Sequence, residues 1–72
     1  MAGTTEKIKI MMVKRGDMKD KDLAERLEMS PQNLYNKFKA DNYKEMDLHK
    51  IATALGYSYV GFFVDNTTGE KI

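Results

Sequence analysis

The dipeptide Ser30-Pro31 constrains this chain more than any other feature in it. Ser is a favoured helix N-cap, and Pro at the first helical position loses only an N–H that has no partner there anyway. A helix is therefore expected to start at Pro31. It runs through Gln32-Asn33-Leu34-Tyr35-Asn36-Lys37-Phe38, with Leu34 and Phe38 four apart and facing inward while Gln32, Asn33, Asn36 and Lys37 stay largely exposed. Upstream, Met18, Leu23, Ala24 and Leu27 form the apolar face of a preceding helix. Asp17, Asp20 and Asp22 crowd its start, where carboxylates suit the helix dipole, and Asp17 or Asp20 is the expected cap. Only Glu28, Met29 and Ser30 separate Leu27 from Pro31, which forces a tight turn and a steep crossing angle.

Other helices flank this pair. Ile8, Met11 and Met12 mark the inner face of a first helix from Thr5 to Arg15, ended by Gly16-Asp17. Lys39 to Lys44 reads as a polar connection, after which Leu48, Ile51, Ala52 and Leu55 recur at i, i+3, i+4 and i+7. Gly56 is the expected left-handed residue just past that helix. Tyr57-Ser58-Tyr59-Val60-Gly61-Phe62-Phe63-Val64 is aromatic and β-branched and reads as a strand. Asp65 to Gly69 is a turn signal, with Glu70-Lys71-Ile72 returning as a second short strand. Residues 1–56 are thus a helical bundle and 57–72 a tail of the same domain.

The 72 residues include no Cys, so neither disulfides nor thiolate metal sites are expected. A chain this short buries only about 60% of its unfolded surface and gains from tight helical packing or a partner chain. Neither a basic, apolar leader in Met1 to Lys7 nor an apolar run near the roughly 20 residues of a membrane span is present, so a cytoplasmic protein without a membrane partner is expected.

Asp22-Leu23-Ala24-Glu25-Arg26-Leu27-Glu28-Met29-Ser30-Pro31-Gln32-Asn33-Leu34-Tyr35-Asn36-Lys37 resembles the helix-turn-helix of lambda repressor/Cro-type (XRE-like) bacterial regulators. Ala24 lets two helices approach, Leu27 and Met29 fill the space beneath the turn, and Leu34 anchors the recognition helix from inside. The resemblance extends from about Ile8 to Gly56. It implies a mainly α fold: a lambda repressor-like bundle of four to five helices, here with a C-terminal β-strand or hairpin. It also implies a sequence-specific double-stranded DNA binder that regulates transcription, as a repressor. Two residues depart from the pattern. Glu28 stands where the turn usually has Gly, requiring an awkward backbone conformation or a shifted turn. Lys37 stands where an apolar residue is common, with Phe38 next to it available for that packing.

Physical chemistry supports the same function independently. Gln32, Asn33 and Asn36 carry amides that pair bidentately with adenine, and Lys37 reaches guanine acceptors, so these four are the candidate base readers. Lys19, Lys21, Ser30, Tyr35, Lys39, Asn42, Tyr43 and Lys44 flank them as candidate phosphate contacts. The formal net charge of +1 conceals a polarity: acids gather at Asp20, Asp22, Glu25 and Glu28, while Lys37, Lys39 and Lys44 cluster with only Asp41 among them.

Catalysis, metal and cofactor chemistry are not expected. His49 is the sole histidine and sits beside the Leu48-Ile51-Leu55 stripe, and the glycines form no phosphate loop. The methionines fall mostly at core-facing helix positions. The tail is apolar on both faces of a strand, which suggests that Tyr57, Tyr59, Val60, Phe62, Phe63 and Val64 form a homodimer that sets two recognition helices about one DNA turn (~34 Å) apart on a near-palindromic site. A hairpin folded on its own helices, or a short fifth helix capped by Ser58, are the alternatives. The rival function is a protein-interaction module, antitoxin-like or phage accessory, that grips a protein through the aromatic tail.

Overall fold

A computed structural model of the chain describes residues 3–72. Met1 and Ala2, at the head of the segment read for a leader, lie outside the described residues. Four helices are followed by a two-stranded antiparallel hairpin: α1 (Thr4–Lys14), α2 (Asp20–Arg26), α3 (Pro31–Ala40), α4 (Glu45–Ala54), β1 (Tyr57–Tyr59) and β2 (Phe63–Asp65). No described helix is long and apolar enough to cross a membrane.

The helices bury the faces that their periodicity marks. Ile8, Met11 and Met12 from α1, Leu23 and Ala24 from α2, Leu34 and Phe38 from α3, and Ile51, Ala52 and Leu55 from α4 and its cap form one core. Ser30 caps α3 as expected, its Oγ accepting the Asn33 N–H at 3.1 Å. Gly56 follows α4 at φ +76°. Two boundaries differ from the sequence expectation. Lys19, not Asp17 or Asp20, occupies the N-cap of α2. Asp17 has instead turned left-handed, at φ +57°, to close the α1–α2 connection, and Asp20 is already helical. The α3 helix also continues through Lys39 and Ala40, because Asp41 at φ +50° supplies the left-handed stop that ends it.

The tail departs most from expectation. Val60, Gly61 and Phe62 reverse the chain, Gly61 taking φ +87°, so that Tyr57 pairs with Asp65 and Tyr59 with Phe63. One continuous strand has become a hairpin. A bridge between Val64 and Lys71 and a bond from the Ile72 N–H to the Phe63 carbonyl (2.9 Å) add the chain's last residues to its edge. This removes Tyr57 and Phe63 from the expected dimer surface, since both are fully enclosed in the chain's own core. Tyr59 and Val64 are half-buried, and only Val60 and Phe62 at the turn remain exposed.

Glu28 takes the left-handed conformation that its place in the turn demands, with φ +57°. A side chain with a Cβ pays about 1–2 kcal/mol there. Glu28→Gly is therefore expected to raise stability by up to about 1 kcal/mol, after the greater freedom of glycine in the unfolded chain is offset. Glu28→Val should lower it. Thermal melts of the two variants moving in the same direction would show that the turn carries no strain.

Candidate nucleic-acid interface

The α3 helix is held from behind and open in front. Leu34 and Phe38 are buried against the core, and α2 packs across the same side. Gln32, Asn33, Tyr35, Asn36 and Lys39 are exposed on the other side. No Asp or Glu occurs between Pro31 and Ala40, so the outward face of α3 offers amides, a phenol and a cation without a carboxylate. Gln32 and Asn36 sit one turn apart, and the Gln32 Nε2 donates to Asn36 Oδ1 at 3.2 Å. That bond leaves the Gln32 Oε1 as an acceptor and the Asn36 Nδ2 as a donor on two exposed side chains.

Lys37 is not on that face. It lies three residues after buried Leu34, on the inner flank of the helix, and its Nζ bonds Asp47 Oδ2 at 3.2 Å across the gap to α4. Asp47 also accepts the Lys44 N–H at 3.1 Å, which closes the first turn of α4. The Lys44 N–H and then Lys37 hold its carboxyl below the usual carboxylate range. Lys37 thus ties α3 to α4, and its place as a base reader is corrected accordingly.

Tyr43 is corrected as well. It is half-buried, with its hydroxyl 2.6 Å from Thr5 Oγ1, and burial pushes its phenol pKa up. Thr5 Oγ1 also lies 2.8 Å from the Phe38 carbonyl and 3.0 Å from Asp41 Oδ1. With a single proton it donates to one of those acceptors and accepts from Tyr43, so the Tyr43 proton is used inside the molecule. The cluster fastens the start of α1 to the end of α3 and so braces the exposed helix.

The remaining flanking residues, Lys19, Lys21, Ser30, Asn42 and Lys44, are all exposed. Lys19 makes one loose ion pair with Asp17 at 3.6 Å, both side chains three-quarters exposed, a pairing of little energy in water. The Ser30 Oγ accepts a backbone N–H, and its own O–H is left to donate to a phosphate oxygen. Lys9 was not singled out from sequence; its ammonium bonds Asp20 at 2.9 Å and lies 4.5 Å from the centre of the Phe38 ring, joining α1, α2 and α3. Its signal was faint, since a lone Lys on a helix ordinarily marks a solvated face. No family model matches this chain, and comparison with curated proteins and solved structures likewise finds no match. His49 stands exposed on α4 with its ring edge-on to Tyr59, centroids 5.5 Å apart. Among the described residues no three of His, Cys, Asp and Glu converge in a way that would hold a metal ion.

Proposed function

We propose that the chain is a sequence-specific double-stranded DNA-binding regulator built on a lambda repressor-like bundle, with α3 as its recognition helix. The observation that carries this reading is the outward face of α3: Gln32, Asn33 and Asn36 exposed side by side, with no carboxylate, on a helix capped at Ser30 and braced at Phe38 and Asp41. A bare helix with side chains is about 10–12 Å across, which matches the roughly 12 Å major groove. Gln32 and Asn36 provide the paired donor and acceptor that adenine's edge takes, and Lys19, Lys21, Lys39 and Lys44 supply phosphate contacts on either side. The regulator acts as a homodimer on a near-palindromic operator and represses by occupying a promoter.

A selection of duplexes from a random library should recover a palindrome. On it, replacing Gln32 or Asn36 by Ala is expected to cost about 1–3 kcal/mol, with little change on random DNA, because lost base pairing is specific while phosphate binding is not. Equal losses on both would remove these residues as readers. Binding to random duplex should weaken steeply with salt as counterions are released. No binding even at low salt would favour the protein-interaction module instead.

A further inference from the structure

The outer face of α1 is apolar where a solvated helix is polar. Ile8, Met11 and Met12 turn into the core, and Glu6, Ile10 and Val13 fall together on the opposite side, within roughly 60° of one another at 100° per residue. Ile10 is 40% and Val13 62% exposed. Lys9 and Lys14 border this stripe, anchored to Asp20 (2.9 Å) and Glu70 (3.0 Å) with much of each side chain still open. Glu6 is exposed and has no ion-pair partner among the described residues. The exposed apolar pair at the hairpin turn, Val60 and Phe62, is partly roofed by Lys71, whose ammonium lies 5.3 Å from the centre of the Phe62 ring, and Met46 on α4 is exposed singly.

We propose that the α1 face docks a second copy of this chain, α1 against α1, antiparallel about a two-fold axis passing beside Ile10. The proposal rests on the dimeric part of the reading above and not on its DNA-binding part. Charge selects both the occupant and the register. Glu6 and Lys14 lie four residues before and four after Ile10, so a two-fold axis at Ile10 brings Glu6 to the partner's Lys14 and Lys14 to the partner's Glu6. Sliding the helices until Ile10 meets the partner's Val13 would set Lys9 against Lys14 and Glu6 against Asp17, like charges throughout. A parallel pairing would set Glu6 on Glu6 and Lys14 on Lys14. The Ile10-centred antiparallel arrangement therefore stacks the two Ile10 side chains on each other and sets Glu6 level with the partner's Lys14 on both sides of the axis. One helix face is far smaller than the roughly 20–30 residues a side of a standard interface, so free dimers are weak and form at high concentration.

The chain contains no Cys, so a single introduced thiol reports register directly. Under mild oxidation of the full chain at high concentration, Ile10→Cys should form a disulfide-linked dimer, since the two thiols face each other across the axis within the Cα separation of about 7 Å that a disulfide tolerates. Val13→Cys, facing the partner's Lys7, should stay largely unlinked. In sedimentation, Glu6→Lys should weaken self-association about tenfold or more, and adding Lys14→Glu should restore it. Ile10→Asp should sediment as a monomer with unchanged circular dichroism, because the position is exposed. Equal crosslinking at both positions, a wild-type chain monomeric at every concentration, or an unaffected Ile10→Asp would overturn the proposal. The two readings fail separately: crosslinking without duplex binding removes the DNA assignment and keeps this surface, while specific duplex binding by a chain that never dimerises does the reverse.

Discussion

A chain ending at Gly56 is expected to be largely unfolded at 25 °C. The missing tail is more than a surface for a partner, because it belongs to the core. Tyr57 and Phe63 are among the largest fully buried side chains, at 1% and 2% exposure. An aromatic side chain buries about 150–250 Å², which at about 25 cal/mol per Å² is worth roughly 4–6 kcal/mol each. The whole stability of a domain this size is about 4–11 kcal/mol, so removing both rings exhausts it even if the unfolded chain already buries part of that area. The cut also leaves Ile51, Ala52 and Leu55 of the α4 face without their cover. Phe63→Ala alone should cost about 3–5 kcal/mol and shift the melt accordingly. Val60→Ser and Phe62→Ser, at the exposed turn, should leave it nearly unchanged. A truncated chain that keeps a cooperative thermal transition near that of the full chain would show the hairpin to be an appendage.

That outcome separates what the residues announced from what only packing decided. The four helices were legible because each depends on local chemistry: a 3.6-residue apolar period, the Ser30 cap, Pro31 at the first position and Gly56 at the end. The exposed amides of α3 followed from the same geometry. The tail was ambiguous because an apolar run does not say whether its second face meets a partner or its own chain. Gly61 resolves it, since its φ of +87° suits the sharp reversal that returns Phe63 beneath the helices. Lys37 and Tyr43 were misplaced for a related reason. A polar side chain at a flanking position reads as solvated, and only the tertiary partners, Asp47 and Thr5, show that each is used internally. Arg15 is not marked in the sequence, because a basic residue at the end of a helix has an ordinary explanation in the dipole.

Yet Arg15 joins the end of α4, the Tyr57 ring and Asp65, and its removal is the second large effect expected. The Nε donates to the Leu55 carbonyl at 2.6 Å and the Nη2 to the Gly56 carbonyl at 3.2 Å, satisfying the open end of α4. The same guanidinium lies 4.5 Å from the centre of the Tyr57 ring and 3.1 Å from Asp65 Oδ1. Asp65 is only 6% exposed and also accepts the Thr67 N–H at 2.8 Å. Without Arg15 that carboxylate is enclosed and has lost its cation, so Arg15→Ala should lower the melting temperature by on the order of 10 °C, and Arg15→Lys should recover only part, lacking the planar fork. Acid should act through the same pair. Arg15 first, then the Thr67 N–H, holds the Asp65 carboxyl below its ordinary pKa. A folded-state pKa below the unfolded value makes a stability contribution that is complete above the unfolded value, near 4, and is lost as pH falls through the folded one. Melting temperature should therefore hold from neutrality down to about pH 5 and decline below it. Asp65→Asn should melt lower at pH 7 and lose less on acidification, the residual slope reflecting Asp47, whose carboxyl is also held low. If the wild-type and Asp65→Asn curves run parallel from pH 7 into the acid range, Asp65 is not the acid-sensitive tie between α1 and the hairpin.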